Sequence, residues 1–333
     1  MAEARFLVVR LGSLGDIVHA FPAVGALRGS FPKAEIIWLT HPKWRVLIQA
    51  SGLADEVWTV ETRSWTSLRG MLPRIRKHRF DAAIDYQGLW KSASIPFLAR
   101  VPRRIGFSSE TVREAGVHLS YTDRVRANPA THVADQNGEL SLRAGAKRGT
   151  AAVELQIGPE DEAAVRKALP GPEFAQYVVL SPGGGWQSKC WPAERFGKLA
   201  LRILQELDLR CVINAGPGED DIVQNVVAAA AEARPAAYRG SLGELMALLK
   251  NASAVIAGDT GPLHLADALG VPLVAIFGPT DPARNGPYRH SGVVLRWEGA
   301  ETTYKRGTEP DESLLHVSVD EVLSALRGLR GAA

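Results

Sequence analysis

Two cysteines, Cys190 and Cys211, occur in 333 residues, too few for a disulfide framework or a thiolate metal cluster. No apolar run approaches the roughly 18 residues that a membrane-spanning helix needs. The opening Met-Ala-Glu-Ala-Arg lacks the pattern of a secretory leader, so the chain is expected to be cytoplasmic. Repeats and low-complexity tracts are missing as well. Gly12-Ser13-Leu14-Gly15-Asp16 lacks the three-glycine dinucleotide fingerprint, and no acidic ribose partner follows it convincingly. That counts against a nicotinamide-linked oxidoreductase. No recognition motif accompanies the basic residues, which counts against a nucleic-acid partner.

What is present suffices for two globular cores. The hydrophobic share is 46% and the charged share 23%, both ordinary for a soluble protein of roughly two domains. The formal charge of +3 hides an asymmetry. Residues 1–170 hold 24 Lys and Arg against 17 Asp and Glu, and the remainder holds 15 against 19. A basic first half suggests an anionic partner such as an acidic substrate or a membrane surface.

Taken in order, residues 5–10 read as a strand, residues 11–16 as a glycine-containing turn, and Ile17–Leu27 as one helix tolerating Pro22. Strand patterns follow at Glu35–Leu39, Glu56–Val60, Asp81–Asp85 and Arg104–Phe107. Helical patterns lie between them at Trp44–Ala50, Leu68–His78 and Leu89–Arg100, and Val133–Arg143 closes this half. Residues 145–173 read as a hinge. A second alternation then runs through strands Tyr177–Ser181 and Arg210–Ala215 and helices after Pro192, at Glu219–Glu232 and at Ser241–Lys250. Ser318–Leu329 reads as a terminal helix. Alternation of this kind predicts an α/β protein of two Rossmann-like, doubly wound parallel-sheet domains facing a cleft. The domains expected are 1–160 and 171–315, with helix 318–330 available to pack back on the first.

The most informative stretch is Ala252–His264. An apolar run ends in Gly258-Asp259, turns through Thr260-Gly261, and enters a helix with Pro262 at its start. The first N–H groups of such a helix lack intrahelical partners and carry the positive end of its dipole, so the turn can hold an anion. Thr260 adds a hydroxyl and His264 an imidazole. Gly183–Lys189 is a second loaded turn, and together the two could wrap a diphosphate. Asp16, in the first half, is then the carboxylate available to take a proton from an acceptor hydroxyl. Each choice has a plainer alternative: a helix cap for Asp16, a solvated lysine for Lys189, a capped helix for the Thr260 turn.

Four motifs carry a family resemblance: Gly12-Ser13-Leu14-Gly15-Asp16-Ile17-Val18-His19, Asp85-Tyr86-Gln87-Gly88-Leu89-Trp90-Lys91-Ser92, Ser188-Lys189-Cys190-Trp191-Pro192, and Asp259-Thr260-Gly261-Pro262-Leu263-His264 followed by Phe277-Gly278-Pro279-Thr280-Asp281-Pro282. In that order and at about that spacing, the chain resembles the bacterial lipopolysaccharide heptosyltransferases of glycosyltransferase family nine. The second motif is most like the enzymes that add the first heptose to Kdo. The resemblance implies a B-type glycosyltransferase fold, with acceptor in the N-terminal domain and nucleotide sugar in the C-terminal one. It implies inverting transfer of heptose from ADP-heptose to an anionic, lipid-linked inner-core glycan, with no required metal or other cofactor.

Position by position, Asp16 then matches the base and Lys189 the phosphate-neutralising lysine. Thr260, Gly261 and His264 match the diphosphate turn, with Asp259 beside it. Glu219 matches an acid holding the ribose hydroxyls, the alternative being a first-turn helix acid. Gly240, Ser241 and Leu242 fall where the backbone touches adenine. Arg63, Lys91 and Arg113 are the candidate contacts for acceptor carboxylates or phosphates. Several relatives carry Thr or Ala where Gly183-Gly184-Gly185-Trp186 stands, so phosphate contacts there would be backbone N–H groups. The basic run Arg69, Arg74, Arg76, Lys77, His78 and Arg79 is expected to meet anionic lipid headgroups, at the cytoplasmic face of the inner membrane, or lipid A phosphates, the alternative being an ordinary solvated helix face. Rival readings are a transferase using another nucleotide sugar, an epimerase of the same fold, and a non-catalytic nucleotide- or glycan-binding module.

Overall fold

The structure, a computed structural model, describes residues 4–149, 153–289 and 292–331. The chain divides into two compact units, Met1–Gln156 and Ile157–Ala333.

The first unit runs β1 (Arg5–Val9), α1 (Leu14–Val18), α2 (Phe21–Ser30), β2 (Glu35–Thr40), α3 (Arg45–Ser51), β3 (Glu56–Thr59), α4 (Trp65–His78), β4 (Ala82–Asp85), α5 (Trp90–Leu98), β5 (Arg103–Phe107), β6 (Asp123–Val125) and α6 (Val133–Ala144). Its six strands are all parallel in the order β3-β2-β1-β4-β5-β6. The central strands are apolar through their middles, as strands covered on both faces must be: Leu7, Val8, Ile36, Ile37, Trp38 and Ile84 have no exposed surface. The single helix expected over 17–27 is two. Pro22 has no N–H to donate to the preceding turn, and it stands instead in the first turn of a new helix, α2.

The second unit runs α7 (Pro159–Ala168), β7 (Tyr177–Ser181), α8 (Ala193–Leu207), β8 (Arg210–Asn214), α9 (Asp220–Ala229), β9 (Ala236–Tyr238), α10 (Leu242–Lys250), β10 (Ala254–Gly258), α11 (Gly261–Ala268), β11 (Leu273–Phe277), α12 (Pro282–Asn285), β12 (Gly292–Arg296), α13 (Glu312–Leu315) and α14 (Val319–Gly331). Its strands are again parallel, ordered β12-β11-β10-β7-β8-β9. Read from β7, this is the same winding as in the first unit. Each sheet therefore reverses direction at one place, between β1 and β4 in the first and between β7 and β10 in the second. Ligands in open sheets of this type bind beyond the strand C-termini at that reversal.

Two expectations need correction. Part of the supposed hinge is α7, which has Pro159 at its start, Glu160, Asp161 and Glu162 in its first turn and Arg166 and Lys167 in its last. Those charges oppose the helix dipole at both ends. The terminal helix α14 spends its apolar face inside the second unit: Val322, Leu323 and Leu326 join the core formed with Phe196, Leu199 and Ile203 of α8. The indole of Trp191 donates to the Val317 carbonyl at 3.0 Å and anchors the approach to that helix.

Candidate active site

In the first unit the turn after β1 carries Asp16. Its Oδ2 accepts from the backbone N–H and from the hydroxyl of Ser13, both at 3.1 Å, so Asp16 closes its own turn. Its Oδ1 lies 2.6 Å from Arg10 Nη2 and 3.6 Å from Arg113 Nη2. Burial opposes the charged form of Asp16, but Arg10, then Arg113 and the Ser13 bonds outweigh it and hold the carboxyl below its ordinary range. Arg10 is only 2% exposed and also donates to the Tyr86 carbonyl. Gly12 makes room for this turn: its φ is +149°, and a Cβ there would lie 2.6 Å from the Trp44 indole nitrogen.

The motif after β4 serves the same turn. Gln87 Oε1 accepts from the Leu11 N–H at 2.8 Å, tying the two loops at the sheet reversal. Asp85, fully buried, accepts from Gln87 N–H at 2.9 Å, from Ser92 Oγ at 2.9 Å and from Tyr121 O–H at 2.7 Å. Burial raises the Asp85 pKa despite these donors. Asp85 thus folds the loop that holds Asp16 and does not face a substrate itself.

Of the three acceptor candidates, Arg113 reaches Asp16. Arg63 lies in the turn after β3, toward the sheet's edge, and Lys91 opens α5; neither forms an ion pair among the described residues. Half of the basic run on and after α4 is committed to partners within the unit. Arg74 pairs with Glu56 at 3.3 Å and covers the Trp58 ring. His78 meets Glu35 at 3.0 Å, and Arg76 donates to the Leu98 carbonyl at 2.7 Å. Arg69, Lys77 and Arg79 stand exposed.

In the second unit the turns after β7, β8, β9 and β10 line one sheet edge. Asp259 Oδ2 accepts from Lys189 Nζ at 2.5 Å and its Oδ1 lies 3.2 Å from His264 Nε2. Burial alone would raise the Asp259 pKa; His264 and Lys189 overcome it and hold the carboxyl far below the usual carboxylate range. Thr260 caps α11 without using its side chain. Its buried Oγ1 has no partner among the described residues. Because Pro262 lacks an N–H, the first turn offers the Gly261 and Leu263 N–H groups. A buried idle hydroxyl beside helix N–H groups and a lysine suits an anionic ligand.

Glycines let these loops close on one another. A Cβ on Gly184 would lie 3.1 Å from Cys190 Sγ and 3.3 Å from the Thr260 methyl, and one on Gly258 would lie 2.9 Å from the Lys189 carbonyl. Glu219 Oε2 accepts from the Gly216 N–H at 2.6 Å, and its carboxylate occupies the space a Cβ on Gly183 would fill. Gly240, Ser241 and Leu242 follow β9 on the same edge. The Ser241 hydroxyl caps α10 by accepting from Glu244 N–H at 3.1 Å. Trp186, within the glycine turn, takes Lys189 Nζ at 4.2 Å and Arg306 at 5.3 Å from its ring centre.

Sequence reasoning missed Arg10, Trp186 and Arg306. Burial pushes the Cys190 thiol up to about 11 and the Cys211 thiol up to about 12, so neither supplies a thiolate at neutral pH. Among the described residues, no three His, Cys, Asp or Glu side chains are placed to hold a metal ion, and no helix is long and apolar enough to cross a membrane.

Arg10 has a measurable consequence. Arg10→Gln removes a buried cation from Asp16, and such a loss costs about 3 kcal/mol at neutral pH. Because Asp16's folded pKa is depressed, its stabilisation is full above the ordinary carboxyl value and fades as pH falls through the folded value. Denaturant midpoints of wild type and variant should therefore differ at pH 7 and converge in acid. A gap that stays constant with pH would remove Arg10 from that role.

The chain is similar to known proteins in sequence and in fold. The model of glycosyltransferase family 9 (heptosyltransferase) matches residues 69–313. Lipopolysaccharide heptosyltransferase 1 of Pseudomonas aeruginosa is 28% identical over 87% of this chain and 83% of its own. Two solved structures share the fold. A family 9 glycosyl transferase from Veillonella parvula has a TM-score of 0.87 at 23% identity, covering 100% of this chain and 99% of its own. The E. coli heptosyltransferase WaaC, solved with ADP-2-deoxy-2-fluoro heptose, has a TM-score of 0.76 at 23% identity, covering 99% of this chain and 100% of its own. With a family model spanning well over half of its length and both sheet edges built as described, the chain belongs to glycosyltransferase family 9, the heptosyltransferases.

Proposed function

We propose that this enzyme transfers heptose from ADP-heptose to a Kdo or inner-core sugar of a lipopolysaccharide precursor, with inversion at the anomeric carbon. One observation carries the reading: the Lys189–Asp259–His264 cluster beside the idle Thr260 hydroxyl and the first N–H groups of α11, an anion site at the second sheet's reversal. The names of the family and of its relatives supply the donor and acceptor classes.

In this mechanism Asp16 takes the proton from the acceptor hydroxyl as its oxygen attacks the anomeric carbon. The bond to the diphosphate breaks on the opposite face, and the departing negative charge is met by Lys189, His264 and the Thr260-Gly261 turn. One displacement inverts the centre, so a single carboxylate suffices. Glu219 holds the ribose hydroxyls, and the backbone at Gly240–Leu242 touches the adenine. Arg113, already on Asp16, orients an acidic acceptor, with Arg63 and Lys91 as further anion contacts. Diphosphate neutralisation rests on Lys189 and N–H donors, with no metal in that role. Because the acceptor is lipid-linked, contact with an anionic membrane surface belongs to the same reading.

Melting with a panel of nucleoside diphosphates tests the donor. ADP at saturating concentration should raise the melting temperature by several degrees and above every other base. A clear preference for UDP would reassign the donor. Incubation of ADP-heptose without acceptor should leave it intact, whereas an epimerase would convert it.

A further inference from the structure

The outward side of α5 is apolar where a solvent-facing helix should be polar. Trp90 is 48% exposed, Phe97 49% and Leu98 49%, and Leu119, in the short 3-10 turn Val117–Ser120 that packs against α5, is 63% exposed. Trp90 and Phe97 are seven residues apart, two helical turns, and so share one stripe. The opposite side of α5 is spent on the core through Ala93, Ile95 and Ala99. These exposed rings are therefore not surplus core.

Cations frame the patch. Arg104 lies 5.5 Å from the Phe97 ring centre and donates to the Ser120 carbonyl at 2.7 Å. Arg76 of α4 donates to the Leu98 carbonyl, and Lys91 and Arg100 are exposed at the two ends of the helix. From Tyr86 to Ser109 the chain holds Lys91, Arg100, Arg103 and Arg104 and no acidic residue. An exposed Trp, Phe and Leu patch rimmed by Arg and Lys matches the boundary of an anionic bilayer, where rings enter the acyl edge and cations meet headgroups. The margin sets Arg76, Lys91, Arg100 and Arg104 against Glu114, and that excess of cations favours anionic headgroups over a water-soluble protein partner.

The patch also leads to the candidate base. Trp90 N–H donates to Glu114 Oε2 at 2.6 Å, and the adjacent Arg113 reaches Asp16 at 3.6 Å. We infer that α5 and the Val117–Ser120 turn form an anionic-membrane docking face that seats the first unit on the bilayer beside Asp16. The inference places the membrane contact on α5, with α4 contributing cations at its border. It rests on the lipid-linked acceptor of the proposed function only for its purpose, because lipid binding is read without turnover.

Vesicles of phosphatidylcholine containing about 30% phosphatidylglycerol are the probe. The full chain should co-sediment with them at about 0.05 M salt, much less at about 0.5 M, and weakly with phosphatidylcholine alone. Phe97→Ser combined with Leu119→Ser should lower partitioning about tenfold or more with the melting temperature unchanged. Arg100→Gln, which leaves the apolar residues in place, should lower it several-fold and flatten the salt dependence. Indifference of the wild type to anionic lipid, or full binding by the double-serine variant, overturns the inference. So does a concentration-dependent dimer that the double-serine variant abolishes without any vesicle binding, which would assign the face to a second copy. Vesicle binding with no heptosyl transfer would count against the reaction and leave the docking face standing.

Discussion

Asp16→Asn is expected to lower kcat for heptosyl transfer by about 10³ while ADP affinity stays within about twofold. The substitution is chosen to keep shape and remove charge. The asparagine oxygen can still accept from the Ser13 N–H, so the turn retains its closure. What disappears is the proton acceptor. Arg10 and Arg113 keep the wild-type carboxyl ionised against the effect of burial, which ensures the right protonation state at neutral pH and at the same time makes the base weak. A weak base suffices where the attacking hydroxyl becomes strongly acidic only as the sugar develops positive charge, late in the displacement. The acid limb of the wild-type pH–rate profile for this group should accordingly lie below the ordinary carboxyl value. Melting curves separate this effect from lost stability, since Arg10 is left without its buried partner. If the variant transfers heptose at near wild-type rate, Asp16 is a helix cap and nothing more.

Lys189→Ala is the second large effect: a fall of about 10²–10³ in kcat/KM together with roughly tenfold weaker ADP binding. Two things are lost at once. The ammonium that meets the leaving diphosphate goes, and Asp259, which it now contacts at 2.5 Å, keeps its negative charge beside the anion site with His264 alone to answer it. Lys189→Arg should recover ADP binding only partly, because a planar fork above Trp186 cannot take the place of a compact ammonium in this geometry. Affinity and rate both unchanged in the alanine variant would make Lys189 a bystander, and the diphosphate would then rest on the α11 turn by itself.

The parts legible in the sequence are those where local rules and tertiary demand agree. Long apolar strands such as Tyr177–Ser181 and Ala254–Gly258 are buried along their whole length and declare themselves by composition. The short strands Asp123–Val125, Ala236–Tyr238 and Gly292–Arg296 escaped notice; they lie at or near sheet edges, and two of the three are only three residues long. Helix α7 lies in a stretch rich in Gly, Ala, Pro and charge that reads as hinge; it buries only Val165, and the acids at its start and bases at its end are its local signal. The loaded turns were found because glycine, acid and hydroxyl stand together after a strand. Arg10 was not, since an arginine closing a strand reads as solvent-exposed until the Tyr86 carbonyl and Asp16 are seen around it. Arg306 is illegible for the same reason: it lies 117 positions past Lys189 along the chain and meets it across the Trp186 ring.

Both thiols lie in the second unit, buried and protonated, and the first unit contains none. A maleimide or disulfide reagent thus reports on opening of one unit alone: labelling of the native enzyme should be slow, and its acceleration under denaturant would time the loosening of the second unit with no signal from the first. The wild-type chain carries that probe without any engineered tag.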